Sequence, residues 1–438
     1  DLLIAEALEE NKDIRVATAR IAEFRARWGI SRSQLYPQLS AQGNYARQRT
    51  SQTIPGFGSS STSTAGDSGG ALAALLPNVG QISPYSNDYL ALLAASYELD
   101  LWGKIRSASE AARTDLLAAV DARRSVILSV VTAVAGAYIQ LRQYDQQLEV
   151  ALQTTQSRKE SLNLAQLRFN EGLTSELEVK QAASELDQAF LQVIQLQTSI
   201  PQQENLISVL IGHPPQSIER GRPVYGWQEP PHVPAGIPAD ILEQRPDIVE
   251  AEEQLIAANF RIGEARALYF PNIALTGNYG SESEQLHQLF TSPSRSWQWM
   301  ANLLQPLFTG WRITNTVDLA KAQKEAALYH YQQVILNALQ EVNNALIAHV
   351  NSRKALSVEN NNVKELRSYL HLATLQYENG LVDYLNVLDA ERRLFQAQLE
   401  LAQVQASVFL TLVNIYKALG GGWVVDAENL MIEELQSN

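Results

Sequence analysis

Read for its apolar and polar positions, the chain holds two kinds of stretch. The first kind alternates. In "YPQLSAQGNY" (residues 36–45) Leu39, Ala41, Gly43 and Tyr45 are apolar or aromatic, while Gln38, Ser40, Gln42 and Asn44 are polar. "FPNIALTGNY" (residues 270–279) repeats the phrase, with Ile273, Leu275, Gly277 and Tyr279 on one side and Asn272, Ala274, Thr276 and Asn278 on the other. A period of two sends successive side chains to opposite faces of a strand, one greasy and one wet. A partner follows each phrase. Tyr97, Leu99 and Leu101 alternate with Ser96, Glu98 and Asp100; Trp297, Trp299, Ala301 and Leu303 alternate with Gln298 and Asn302. The pattern predicts two hairpins, with four strands of about ten residues.

The second kind is long and nearly free of helix breakers. Residues 311–379 contain neither Pro nor Gly, and residues 104–171 contain only Gly136. A helix of that length measures about 100 Å. Apolar positions recur at coiled-coil spacing through Ile127, Val131, Val134, Tyr138, Leu141, Leu148 and Leu152. Short breaks at Gly172 and Gly380 precede a second helix in each half, which runs to Gly212 or Gly420 and is expected to be interrupted at Pro201 in the first half.

The two halves are copies. "NKDIRVATARI…YPQLSAQGNY" lies without a gap on "RPDIVEAEEQL…FPNIALTGNY" at a shift of 234, and "LAQLRFNEGLTSELEV" lies on "LATLQYENGLVDYLNV" at a shift of 208. So long a period excludes a solenoid. The first half has about 26 extra residues, in a Ser/Gly/Thr-rich stretch (51–88) that reads as an exposed loop. The expected organisation is a first repeat over residues 1–212, with its hairpin at about 36–102 and long helices over 103–212. A linker over 213–238 leads to a second repeat over 239–423, with its hairpin at about 270–309 and helices over 311–420. A tail follows over 424–438.

Four amphipathic strands admit two architectures. They can edge a soluble domain, the helices then forming a soluble coiled-coil scaffold. They can also be part of a transmembrane barrel, where strands near ten residues with aromatic ends suit a bilayer core of about 30 Å. The smallest barrels have about eight strands, and an open edge in lipid leaves backbone groups without partners. A barrel built from this sequence is therefore shared between chains. No run of about 18 apolar residues suggests a transmembrane helix, and no basic segment with an apolar core opens the sequence as given. Cysteine is absent, which excludes disulfides and thiolate chemistry. A net charge of −13 argues against nucleic acid as a partner. The six histidines make no close pair at ligand spacing, and no P-loop or nucleophile elbow is visible, so the chain reads as a conduit and not an enzyme, with no metal or cofactor expected.

Longer phrases carry a family likeness. "LEQRPDIVEAEEQLIAANFRIGEARALYFPNIALTGNYG" (242–280), "YELDLWGKIR" (97–106), "QPLFTGW" (305–311) and "YKALGGGW" (416–423) resemble, in order, hallmarks of the TolC-like outer-membrane efflux proteins, in the branch that serves multidrug pumps and includes lipoproteins. The resemblance implies an α+β membrane protein that works as a homotrimer. Four strands per chain would build one twelve-stranded barrel in the outer membrane of a Gram-negative bacterium. A long α-helical barrel would continue it into the periplasm, ringed by a mixed equatorial region that uses residues 213–236 and the tail. The implied partners are a periplasmic adaptor, an inner-membrane pump (expected to be proton-driven) and small-molecule substrates. Many members of the branch carry an amino-terminal Cys before the first helix; here residue 1 already lies in that helix, which leaves lipidation open.

The likeness also implies site residues. Gly172, Leu173, Thr174 and Ser175, with Gly380 and Leu381, match the adaptor-contacting helical tips. Asp389, Asn386, Tyr377 and Glu178 match positions that close the periplasmic mouth. Some members carry an Arg two residues after the second Gly, where this chain has Val382. Tyr45, Tyr97, Tyr279, Trp297 and Trp299 are the expected membrane-interface aromatics. Three copies of Asp389 near one axis would repel one another and favour cations, so the expected pore is cation-selective. A type I protein-secretion conduit is the alternative of like architecture, and a metal-ion duct gains no support from two methionines and scattered histidines.

Overall fold

The computed structural model describes residues 2–49, 85–223 and 245–421. The elements run α1 (Leu2–Glu10), α2 (Lys12–Ser33), β1 (Gln38–Arg49), β2 (Tyr85–Leu99), α3 (Lys104–Asn170), α4 (Glu176–Leu210), α5 (Pro246–Ala267), β3 (Asn272–Ser283), β4 (Arg295–Leu304), α6 (Arg312–Glu378) and α7 (Tyr384–Ala418). The duplication is written into these bounds. α5 follows α2, and β3 follows β1, by 234 positions at both ends; α6 follows α3, and α7 follows α4, by 208. The stretch 51–84, most of the linker from residue 224, Trp423 and the tail lie outside the described residues.

The chain divides into two units, one holding residues 26–112 and 258–322 and the other the long helices. The first unit is built on an antiparallel sheet in the order β1-β2-β3-β4. Its register carries the alternation seen in the sequence across the whole sheet. Leu39 pairs with Ala95, Ala95 with Gly277 and Gly277 with Trp299; Ala41 pairs with Leu93, Leu93 with Tyr279 and Tyr279 with Trp297. Paired residues in an antiparallel ladder share a face, so the odd-numbered residues from 39 to 45, 89 to 99, 273 to 279 and 297 to 303 form one apolar and aromatic surface, and Arg47, Arg49, Asn87, Ser281 and Arg295 stand at its end. The even-numbered face presents Gln42, Asn44, Ser96, Glu98, Thr276, Asn278, Gln298 and Asn302. β2 begins at Tyr85, inside the stretch expected to be loop, and ends at Leu99, so Leu101 falls beyond it. Leu90 and Leu92 sit on the even face and break the alternation, which hid the start of this strand. Gly280 faces Leu92 where a Cβ would collide with the Ala91 carbonyl oxygen. Among the described residues, β1 and β4 each have one edge without a partner strand.

In the second unit the apolar seam of α3 is the core. Ile127, Val131, Val134 and Leu141 are buried with Ile200 and Ile207 of α4 and Ile14 of α2. An 18-residue window of α3 reaches a mean hydropathy of 1.5, high enough by composition to cross a membrane, as does one of α7 at 1.2. Much of the apolar surface of α3 instead meets other helices. Leu152, expected in the seam, is 49% exposed, and Ala151 is buried in its place. Pro201 does not interrupt its helix: α4 runs unbroken through it. An interior proline costs about 3 kcal/mol. Burial of Ile200 and Ile207 on either side offsets that cost, at about 1.5–3 kcal/mol for each side chain.

The amino-terminal helix is two helices, divided at Asn11. The Asn11 side chain, only 3% exposed, caps α2 by accepting from the Asp13 and Ile14 amides at 2.8 and 3.1 Å, while its Nδ2 donates to the Leu210 carbonyl at 2.7 Å. In the second half the matching residue is Arg245. Its Nη1 donates to the Ala418 carbonyl at 2.6 Å, and its Nη2 reaches Asp247 at 2.7 Å and Glu341 at 2.9 Å. Leu210 and Ala418 are themselves 208 positions apart and each ends a helix. Two different side chains thus satisfy the same orphan carbonyl.

Candidate functional site

The two inter-helix turns have one construction. Gly172 and Gly380 adopt φ of 72° and 69°. Each helix closes with paired bonds of the Schellman type: Gly172 N–H to Phe169 O at 2.9 Å with Leu173 N–H to Arg168 O at 2.8 Å, and Gly380 N–H to Tyr377 O with Leu381 N–H to Gln376 O, both at 2.9 Å. No atom lies within 4 Å of where a Cβ would stand on either glycine, so the left-handed backbone, and not crowding, requires glycine there. The next helix starts from an extended Ser175 or Asp383, whose carbonyls accept from Glu178 N–H at 3.2 Å and Asn386 N–H at 3.1 Å. The turns leave Leu173 and Leu381 76% and 74% exposed. One turn further, Leu177 and Leu385 are also exposed, so each turn shows a leucine pair to solvent. Thr174 Oγ1 is buried without a hydrogen-bond partner among the described residues.

The four residues expected at the mouth, Tyr377, Glu178, Asp389 and Asn386, fall into two clusters. The Tyr377 hydroxyl donates to Glu178 Oε2 at 3.0 Å and accepts from Arg168 Nη1 at 2.8 Å. The Arg168 guanidinium also lies over the Tyr377 ring, 5.2 Å from its centroid, and the Tyr384 ring packs against Tyr377 at 5.2 Å. Burial, then the bond to Glu178, pushes the Tyr377 hydroxyl up, and burial does the same to Tyr384, so both hydroxyls stay neutral near pH 7. This cluster joins α3, α4, α6 and α7 around a cavity of about 130 Å³. Asp389 and Asn386 line a separate open groove of about 480 Å³ with Gln181 and Glu185. There Arg392 Nη2 and Arg393 Nε hold the Asp389 carboxylate at 3.0 and 2.7 Å, so this trio carries a net positive charge. Asn386 is exposed, and its Nδ2 donates to the Asp383 carbonyl at 3.3 Å.

Arg168 was missed by motif reasoning. Its one sequence signal is its place in the last turn of α3, where a cation complements the helix dipole. The five aromatics all fall on the odd face of the sheet. Tyr45 stacks on its cross-strand partner Tyr89 at 4.6 Å, Tyr279 pairs with Trp297, and Tyr97 lies eight residues along β2 from Tyr89. That separation is about 27 Å along a strand, or about 20 Å of height at barrel tilt.

The family model described as outer membrane efflux protein matches residues 3–213 and 237–421. Over 424 residues the chain is 36% identical to the solvent efflux pump outer membrane protein SrpC of Pseudomonas putida, spanning 97% of this chain and 85% of that one. It is 31% identical over 421 residues to the cation efflux system protein CusC of Escherichia coli O157:H7, spanning 96% and 85%. The open-state MtrE outer membrane channel of Neisseria gonorrhoeae superimposes with a TM-score of 0.81 at 31% identity, over 96% of this chain and 88% of that one. The family match runs through both halves and the likenesses span nearly the whole chain, so this protein belongs to the outer membrane efflux protein family.

Proposed function

We propose that three copies of this chain assemble into a gated exit duct of a tripartite efflux system, passing small organic molecules from the periplasm to the exterior. One observation carries the proposal: a four-stranded sheet with one apolar face and two open edges. In lipid those edges need partners, and joining β4 of one copy to β1 of the next satisfies them. Three copies give twelve strands. Single cysteines placed on β1 and β4 of this cysteine-free chain test it. Oxidation of the double variant in membranes should yield a covalent trimer; only monomer, or linear dimers alone, would refute the shared barrel.

The turns are the proposed adaptor contact, through Gly172 to Ser175 and Gly380 with Leu381. Exposed leucines on a rigid Schellman turn suit a small apolar pocket on a partner. The mouth is held by the inter-helix latch of Tyr377 with Glu178, while Asp389 pairs with Arg392 and Arg393 along its own helix α7. Because the Asp389 trio is net positive, a cation preference would come from the chain's −13 charge and not from this carboxylate. The named cargo of relatives ranges from solvents to cations.

A further inference from the structure

No motif marks Arg158, Glu185, Glu391 or Phe395, yet they form the most deeply charged junction near the mouth. Arg158, on α3, is 3% exposed. Its Nη1 donates to the backbone carbonyl of Glu185 on α4 at 2.5 Å, and its Nη2 lies 3.1 Å from Glu185 Oε2. The guanidinium sits over the ring of Phe395 on α7, 5.1 Å from the centroid. Glu391, one turn before Phe395 on the same helix, lies within the field of both Arg158 and Glu185 and lines a cavity beside them. Glu185 on α4 is the carboxylate paired with Arg158 of α3. Burial pushes the Glu391 carboxyl above the usual range; Arg158 pulls it back and Glu185 raises it further.

The junction is continuous with the Tyr377 latch. Glu391 lines the same 130 Å³ cavity as Glu178, Arg168, Tyr377 and Tyr384. Tyr384 stands between the two groups: it packs on Tyr377 and feels the charges of Glu391 and Glu178. At about 30 Å³ per molecule, the cavity has room for a few waters, enough to carry a proton between the carboxylates.

We propose that Arg158 is a positioning residue of the mouth, clamping α4 and α7 against α3, and that Glu391 makes this clamp sensitive to acid. The inference rests on the gated-duct reading above. Its sign follows from linkage. When α7 leaves α3, Glu391 meets water and its carboxyl returns to the ordinary range. The closed arrangement binds the proton more tightly. It is fully favoured below the ordinary glutamic range and loses that advantage as pH rises through the raised value. The other groups facing Glu391 do not reverse this. Arg158 and Arg168 keep their charge throughout, Tyr384 and Tyr377 stay neutral, Glu178 and Glu378 line the same cavity, and Glu185 pairs with Arg158.

The test is single-channel recording of the full chain in planar bilayers from roughly pH 5 to 7.5, a span that lies above the ordinary glutamic range. The wild-type open-to-closed ratio should fall as the bath is acidified, by up to about tenfold per linked proton per pH unit. Glu391→Gln should flatten that profile and hold the ratio near its acid value. Arg158→Met should raise the ratio at every pH, with partial rescue by Arg158→Lys. If Glu391→Gln follows the wild-type profile, the acid-sensitive clamp is overturned even where Arg158→Met opens the pore, because Arg158 is then only structural. That profile decides the matter should Arg158→Met fail to fold. Absence of conductance in every protein would overturn the duct reading and this inference with it.

Discussion

Replacing Tyr377 by Phe isolates one hydroxyl of the proposed mouth latch. Phe keeps the ring over which Arg168 lies and against which Tyr384 packs, and removes only the atom that bonds Glu178 at 3.0 Å and Arg168 at 2.8 Å. Hydrogen bonds to charged partners contribute about 1.5–3 kcal/mol each. The site is half-buried, which reduces each to about 1–1.5 kcal/mol, and direct pairing of Arg168 with Glu178 recovers part of the loss. A net loss of about 1–2 kcal/mol remains for the closed arrangement, or roughly a 5–30-fold rise in the open-to-closed ratio. Single-channel recordings measure that ratio directly, and circular dichroism checks the helices. The unitary current of the open state should not change, since the pore itself is untouched. A ratio within twofold of wild type in a folded variant would mean that this hydroxyl does not latch the mouth.

Three further outcomes follow from the same geometry. Leu173→Asp with Leu381→Asp should abolish capture of the cognate periplasmic adaptor in a pull-down while leaving trimers and conductance intact; unchanged capture would move the contact elsewhere. Gly280→Val should block sheet formation, because its Cβ would meet the Ala91 carbonyl, and should be read as loss of heat-resistant oligomer on a gel. Asn11→Ala removes a cap worth about 1 kcal/mol and leaves the buried Leu210 carbonyl unpaired at about 1–3 kcal/mol, so thermal unfolding should begin several degrees lower. Gln in place of Asn11 should not restore it, since the longer side chain misplaces the capping oxygen.

Much of the fold could be read before any coordinates. Strand pairing followed from period two, and the ends of α3 and α6 from where Gly and Pro resume. The repeat shifts of 234 and 208 reappear as offsets between whole elements because both halves solve the same packing problem. Local rules failed where tertiary contacts decide. Pro201 should end a helix, but buried isoleucines on both sides carry α4 through it. Leu90 and Leu92 spoil the alternation of β2, so its first half looked like loop. The Tyr377–Glu178 bond joins residues 199 positions apart, and only family likeness suggested both. Arg168, Arg158 and Glu391 escaped notice because a charged residue in a long wet helix normally faces solvent. Their burial is set by how four helices meet.

The central claim is that this chain forms a closed but openable pore. Conductance in planar bilayers, comparing the detergent-purified protein with Asp389→Ala, tests it most directly. The substitution frees Arg392 and Arg393 from the carboxylate they hold at 3.0 and 2.7 Å along α7 and removes the one negative charge of that trio. A small or flickering wild-type current that grows in the variant, with selectivity shifted toward anions by the released arginines, is the predicted result. A wild-type protein that inserts as a steady, wide pore unchanged by the substitution, or that never conducts, would contradict it.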